Sequence, residues 1–182
     1  MANGTLKVSN IQTSSGSGTI TIGQSGETVT IPSGVTMSGM GKVLQVVNAT
    51  FSTNVTSSSN TFADTGLTAS ITPSSASNKI LVFVNINGIY KGGSNTGISL
   101  KLVRGVTNIH NIESIGAYTN DSGFVAVGSA STTYLDSPST TSSTTYKITF
   151  NSFNNTGTVN INANSVSGGT VSTMTLMEIA VW

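Results

Sequence analysis

The sequence predicts an all-β fold: an antiparallel, jelly-roll-like β-sandwich preceded by a short N-terminal β-rich stem. Three observations predict it. The first is Lys79 to Tyr90, KILVFVNINGIY, a long apolar run rich in β-branched and aromatic residues, which suit a pleated sheet. Read with period two, Ile80, Val82, Val84 and Ile86 share one face, and Leu81, Phe83, Asn85 and Asn87 share the other. Both faces of its first half are apolar and need cover, one from a facing sheet and the other from a neighbouring subunit. The second observation is the regular recurrence of turn signals after residue 41, with no helical 3.6 period longer than a turn. The third is composition. Only 7% of residues are charged, against roughly 25% in ordinary globular domains, and Ser, Thr and Asn supply the polarity instead.

Residues 1–40 form the stem, which is also the expected attachment segment. Three alternating segments recur there: Gly4 to Val8, Gly18 to Ile22 and Glu27 to Ile31. Each offers too few apolar side chains to bury a core alone, so stacking or wrapping around identical chains is expected. Pro32-Ser33-Gly34 is a turn signal, and Gly39-Met40-Gly41 reads as a hinge.

Residues 41–182 form the sandwich head. Val43 to Phe51 is a first strand, Thr53 to Asn60 a polar loop, and Thr61 to Ile71 a strand in which Leu67, Ala69 and Ile71 alternate with Thr68 and Ser70. Pro73 to Asn78 turns into the central strand, and Lys91 to Asn95 is the next loop. Ile98, Leu100 and Leu102 alternate in the following strand. A weaker one carries Ile109, Ile112 and Ile115. Ala117 to Ser122 is a polar loop, Phe124 to Thr133 a small-residue apolar strand, and Asp136-Ser137-Pro138 a turn. Tyr146, Ile148 and Phe150 define one strand. Val159, Ile161 and Ala163 define the next, alternating with Asn160, Asn162 and Asn164. Met174 to Trp182 closes the chain, with Trp182 expected in a packed sheet or subunit contact.

Chemistry is sparse, and no catalytic residue, cofactor or metal site is expected. The chain has no cysteine, so disulfides and thiol-based zinc sites are excluded. His110 is the one histidine, with Glu113 its nearest potential partner, and reads as structural. Asp121 and Asp136 fall in loops and do not form the paired carboxylates of a glycosidase. The segment KGGSNTG lacks the ending and the following helix of a phosphate loop. A net charge of +1 with no basic patch argues against nucleic acid. No apolar run approaches the roughly 20 residues of a membrane span. The opening MANGTLKVSN lacks the apolar core of a signal peptide, which disfavours a secreted carbohydrate-binding module.

The leader SNIQTSSGSGTITI, the junction GKVLQVV, the run TGLTASITPSSASNKILV, the later YLDSP and the final TLMEIAVW together resemble phage virion surface proteins. These are the tail-fibre and head-fibre proteins of marine and cyanobacterial phages. The resemblance runs from about Ser9 to the end. It implies a non-enzymatic, homotrimeric, fibre-like protein on the virion surface, attached to other virion proteins through residues 1–40, with a jelly-roll head facing outward. A capsid decoration or cement protein is the alternative. In an antiparallel sandwich successive loops fall at alternate ends. Counting from residue 41, the distal loops are Thr53 to Asn60, Lys91 to Asn95, Ala117 to Ser122 and Asn154 to Gly157. Asn54, Asn95, Tyr118, Asp121 and Asn154 are therefore expected at the outward end, where amides beside one aromatic suit a host-surface glycan.

Overall fold

The structure, a computed structural model, describes Ile11 and residues 20–30, 43–163 and 169–181. The chain divides into two units, Met1–Met40 and Gly41–Trp182. In the first unit, the described residues 20–30 hold a turn in which Glu27 N donates to Gln24 O at 3.0 Å, and Gln24 N to Glu27 Oε2 at 2.7 Å. No strand occurs among them, and Ile20, Ile22 and Val29 are exposed. Gly4 to Val8, the turn at Pro32 and Trp182 lie outside the described residues.

The second unit is all-β. Its ten strands are β1 (Val43–Phe51), β2 (Val55–Ser57), β3 (Ala63–Ile71), β4 (Lys79–Gly92), β5 (Thr96–Arg104), β6 (Thr107–Thr119), β7 (Phe124–Asp136), β8 (Thr144–Ser152), β9 (Thr158–Ile161) and β10 (Ser172–Ile179). Every pairing is antiparallel, and the main pairs nest: β5 with β6, β4 with β7, β3 with β8, and β1 with β10. The chain is in effect one long hairpin, tipped at Gly105-Val106 and folded over on itself. That folding deals the strands into a six-stranded sheet, β1-β10-β4-β9-β2 with β7 on the other edge of β4, and a four-stranded sheet, β3-β8-β5-β6. This is the jelly-roll arrangement.

Period-two alternation sends one side of each sheet into a shared core. Ile80, Val82, Val84, Ile86 and Ile89 from β4 meet Ile98, Leu100 and Leu102 from β5 and Tyr146, Ile148 and Phe150 from β8. Leu67 and Ile71 from β3 and Met174 and Leu176 from β10 complete it. Fixed register keeps the opposite faces out of that core.

Strand β4 serves two partners on one edge. β10 pairs with Lys79 to Asn85, and β9 pairs with Tyr90 to Gly92. The gap between β9 and β10 faces the gap between β1 and β2, and Asn162 closes both. Fully buried in a left-handed conformation (φ 51°), its Nδ2 donates to Phe51 O at 3.0 Å and Thr53 O at 3.2 Å. Ser172 Oγ donates to its Oδ1 at 2.6 Å. Asn160 is also buried, so the Asn side of β9, which the Val/Asn alternation assigned to solvent, is covered and only Thr158 at its start is exposed.

Several boundaries differ from expectation. Thr53 to Asn60 contains the short strand β2, because β9 offers it a free edge. β4 runs on through Lys91 and Gly92 because both β7 and β9 pair with them. Tyr118 lies in β6 rather than in a loop, since Thr119 still pairs with Thr96 of β5.

Two buried charges are held at the end of the sandwich near Val43. Asp136 receives Arg104 Nη1 at 2.8 Å and the Tyr146 hydroxyl at 2.6 Å. Burial and the bond to Asp136 push the Tyr146 phenol far above its usual range, so it stays a donor. Glu178 is 1% exposed and accepts from Asn78 Nδ2, Gln45 Nε2, Ser74 N and Ser74 Oγ at 2.6–2.8 Å. Burial works against its charge, but bonds from Asn78, Gln45 and Ser74 outweigh it and hold the carboxyl below its ordinary value.

Candidate functional site

Three surfaces of the sandwich are candidates: the loop end opposite Val43 and the outer faces of the two sheets. At the loop end, four connections are tied together by backbone bonds. Gly93 N donates to Ser122 O at 3.2 Å, Asn95 N to Thr119 O at 2.8 Å, Ser152 N to Ser59 O at 2.8 Å, and Phe153 N to Gly97 O at 2.9 Å. Gly157 packs so closely on Gly92 and Gly93 that no side chain would fit there.

Beneath these loops lies Lys91, which is fully buried. Its Nζ donates to Asp121 O at 2.6 Å, Gly93 O at 2.8 Å and Thr119 O at 3.4 Å. Three carbonyls, two from loops and one from the end of β6, thus converge on one ammonium. Sequence reading places Lys91 in a solvated loop, and only the pairing of β4 with β7 and β9 turns it inward.

Of Asn54, Asn95, Tyr118, Asp121 and Asn154, the last four sit together at the loop end opposite Val43. Asn95 is exposed with φ 53°, and its carbonyl accepts Thr156 Oγ1 at 2.8 Å. Tyr118 meets Phe153 edge to face at 6.2 Å. The Asp121 carboxylate is spent on its own turn, accepting Gly123 N at 2.8 Å. Asn154 is half-buried, and its Oδ1 has no partner. Asn54 is separate: it lies at mid-height, where β1 gives way to β2, because β2 carries the chain onward to the loop end.

The outer face of the six-stranded sheet is apolar near Val43 and polar beyond, where Asn48 Nδ2 donates to Thr175 Oγ1 at 2.9 Å and Ser131 Oγ to Asn85 Oδ1 at 3.0 Å. Val46, Met177, Leu81 and Leu135 stand directly opposite one another across β1, β10, β4 and β7. Val46 is 55% exposed and Leu135 56%, and Phe83 lies on the same face at 39%. The outer face of the four-stranded sheet is polar. It holds two adjoining depressions of about 320 Å³ each, separated where Lys101 Nζ sits 3.7 Å from the centre of the Phe62 ring.

No protein-family model matches the chain, and no curated protein matches it.

His110 stacks on Tyr134 with centroids 5.1 Å apart, and Glu113 Oε1 accepts Ser114 N at 2.9 Å rather than facing the imidazole. Asp121 and Asp136 lie toward opposite ends of the sandwich, separated by the length of β7. Among the described residues no group of three or more His, Asp or Glu converges as a metal would require.

Proposed function

We propose that this chain is a non-enzymatic structural protein of a phage virion surface, fibre-like, working as a homotrimer whose sandwich head faces outward. The observation that carries the reading is the apolar row Val46, Met177, Leu81 and Leu135. A sheet face whose row of large aliphatic side chains is half-buried at its centre and exposed at Val46 and Leu135 suits a protein contact. An identical chain is the simplest cover for it, and a closed cyclic assembly limits growth. The virion assignment is supported by the sequence resemblance. Jelly rolls recur in viral capsid proteins and in lectins, which fits a surface role without fixing one. Ile20, Ile22 and Val29 are exposed, which suits residues 1–40 to packing against other virion proteins.

Light scattering of the purified chain tests the assembly: about three chain masses are expected. Val46→Asp with Leu135→Asp, both at exposed positions, should reduce the mass to that of one folded chain. A wild-type protein that runs as a folded monomer overturns the trimer. Labelling the chain in virions tests its place: a few copies at a fibre support the reading, whereas many copies over the shell indicate a decoration protein.

A further inference from the structure

We propose that the outer face of the four-stranded sheet binds a neutral oligosaccharide lying along β5. The inference deepens the surface-contact part of the reading above and does not depend on the trimer.

The two depressions meet end to end at Phe62 and Lys101, which line both, and together make a trough crossed by the Lys101 side chain. Its floor runs down β5 through Ser99, Lys101 and Val103, a rise of about 13 Å at the spacing of a strand. That length calls for an extended ligand rather than a single sugar. The charges on the face cancel: Lys101 and Glu113 line the upper part, and Lys147 and Asp64 pair at 2.9 Å in the lower part. A polyphosphate chain needs an uncompensated basic track, which this face lacks. An extended peptide would bind by adding to a sheet edge, whereas the trough lies on a sheet face, with its backbone bonds already used between strands.

What the trough offers instead is amides and hydroxyls beside rings. The exposed side chains of Asn60, Asn111 and Ser114 present both donors and acceptors, as adjacent sugar hydroxyls require, while Ser99 Oγ is held by Ser114 O. Phe153 is 42% exposed at the upper end and is buttressed by Tyr118, giving a flat apolar platform for the C–H face of a sugar ring.

Asn151 carries a further sign of an absent partner. It is only 6% exposed, and its Nδ2 donates to Asn60 O at 2.7 Å, yet its Oδ1 has no hydrogen bond. A buried acceptor left open is uncommon and unfavourable. Its Oδ1 lies under the trough floor, and a ligand hydroxyl would supply the missing donor once the amide turns outward.

The test is an array of neutral and acidic microbial glycans probed with the full chain, alongside Asn111→Ala and Phe153→Ala. Asn111 is exposed and its variant should keep the wild-type melting temperature, whereas Phe153→Ala, which loses the contact with Tyr118, should stay folded with a slightly lower one. Binding to one or more neutral glycans, weakened about tenfold or more by each substitution, supports the site. Absence of binding, binding only to acidic glycans, or binding unchanged in both variants overturns it. Val46→Asp with Leu135→Asp separates the two proposals, since it should dissociate the assembly while each chain keeps its glycan contact.

Discussion

Replacing Lys91 by Met keeps the length of the side chain and removes its ammonium. The structure sets the magnitude. Two short bonds, to Asp121 O at 2.6 Å and Gly93 O at 2.8 Å, are lost, while the 3.4 Å contact to Thr119 O contributes little. Thr119 O also keeps its bond from Asn95 N. At about 1.5–3 kcal/mol for each bond to a charged group, the gross loss is about 3–6 kcal/mol. Relief from burying an ammonium and the better packing of a thioether offset part of it. A net loss of about 2 kcal/mol follows, or about 1 M in the urea midpoint for a domain of this size. The damage should be local as well as global. Hydrogen exchange should accelerate at residues 93–95 and 119–123 by more than the uniform increase that the global loss brings to β10, which pairs with the opposite half of β4. An unchanged urea midpoint together with unchanged protection in those loops would refute the view that Lys91 holds the loop end together.

Two further perturbations probe the frame. Because the folded carboxyl of Glu178 titrates below its unfolded value, its stabilisation is complete above about pH 5 and disappears as pH falls through the folded value. Melting temperatures measured from pH 7 down to pH 3 should therefore fall more steeply for wild type than for Glu178→Gln, which starts lower because its amide donors face Asn78 and Gln45; parallel curves would contradict this. Gly66 has φ +97°, and an added Cβ would lie 2.5 Å from Phe51 Cζ. Gly66→Ala should therefore cost about 2–4 kcal/mol in urea denaturation through backbone strain and displacement of the Phe51 ring, and a loss under 1 kcal/mol would contradict it.

Much of the fold was legible because burial on one side of a strand writes itself as alternation. Ile80, Val82 and Val84, or Ile98, Leu100 and Leu102, announce their face without knowledge of their partners. Alternation fails where both faces are buried or where a partner, not the segment itself, makes the strand. Asn160 and Asn162 look like a solvent face and are buried, because β9 bridges β4 and β2 beneath the loop end. β2 is three residues of a Ser- and Asn-rich stretch and exists through its pairing with β9. Counting strands brings Asn95, Tyr118, Asp121 and Asn154 to one end, although Tyr118 ends a strand rather than opening a loop, and Asn54 escaped the count because β1 breaks before the loop end. The trough had no local signal. Phe62, Lys101, Asn111 and Asn151 come from four separate segments, and only the order β3-β8-β5-β6 makes them neighbours.

The nested hairpin has a consequence for how the domain is made. β10 follows every other strand of the sandwich in the chain, yet it lies between β1 and β4 inside the six-stranded sheet. During synthesis β5 and β6 can pair early at the hairpin tip, followed by β4 with β7 and β3 with β8. The long edges of β1 and β4 meanwhile wait for a strand not yet translated. An unpaired edge beside exposed Val46 and Leu81 invites pairing with another nascent chain. Folding is completed by the insertion of one central strand, so truncation before Ser172 should leave an aggregating chain rather than a smaller sandwich.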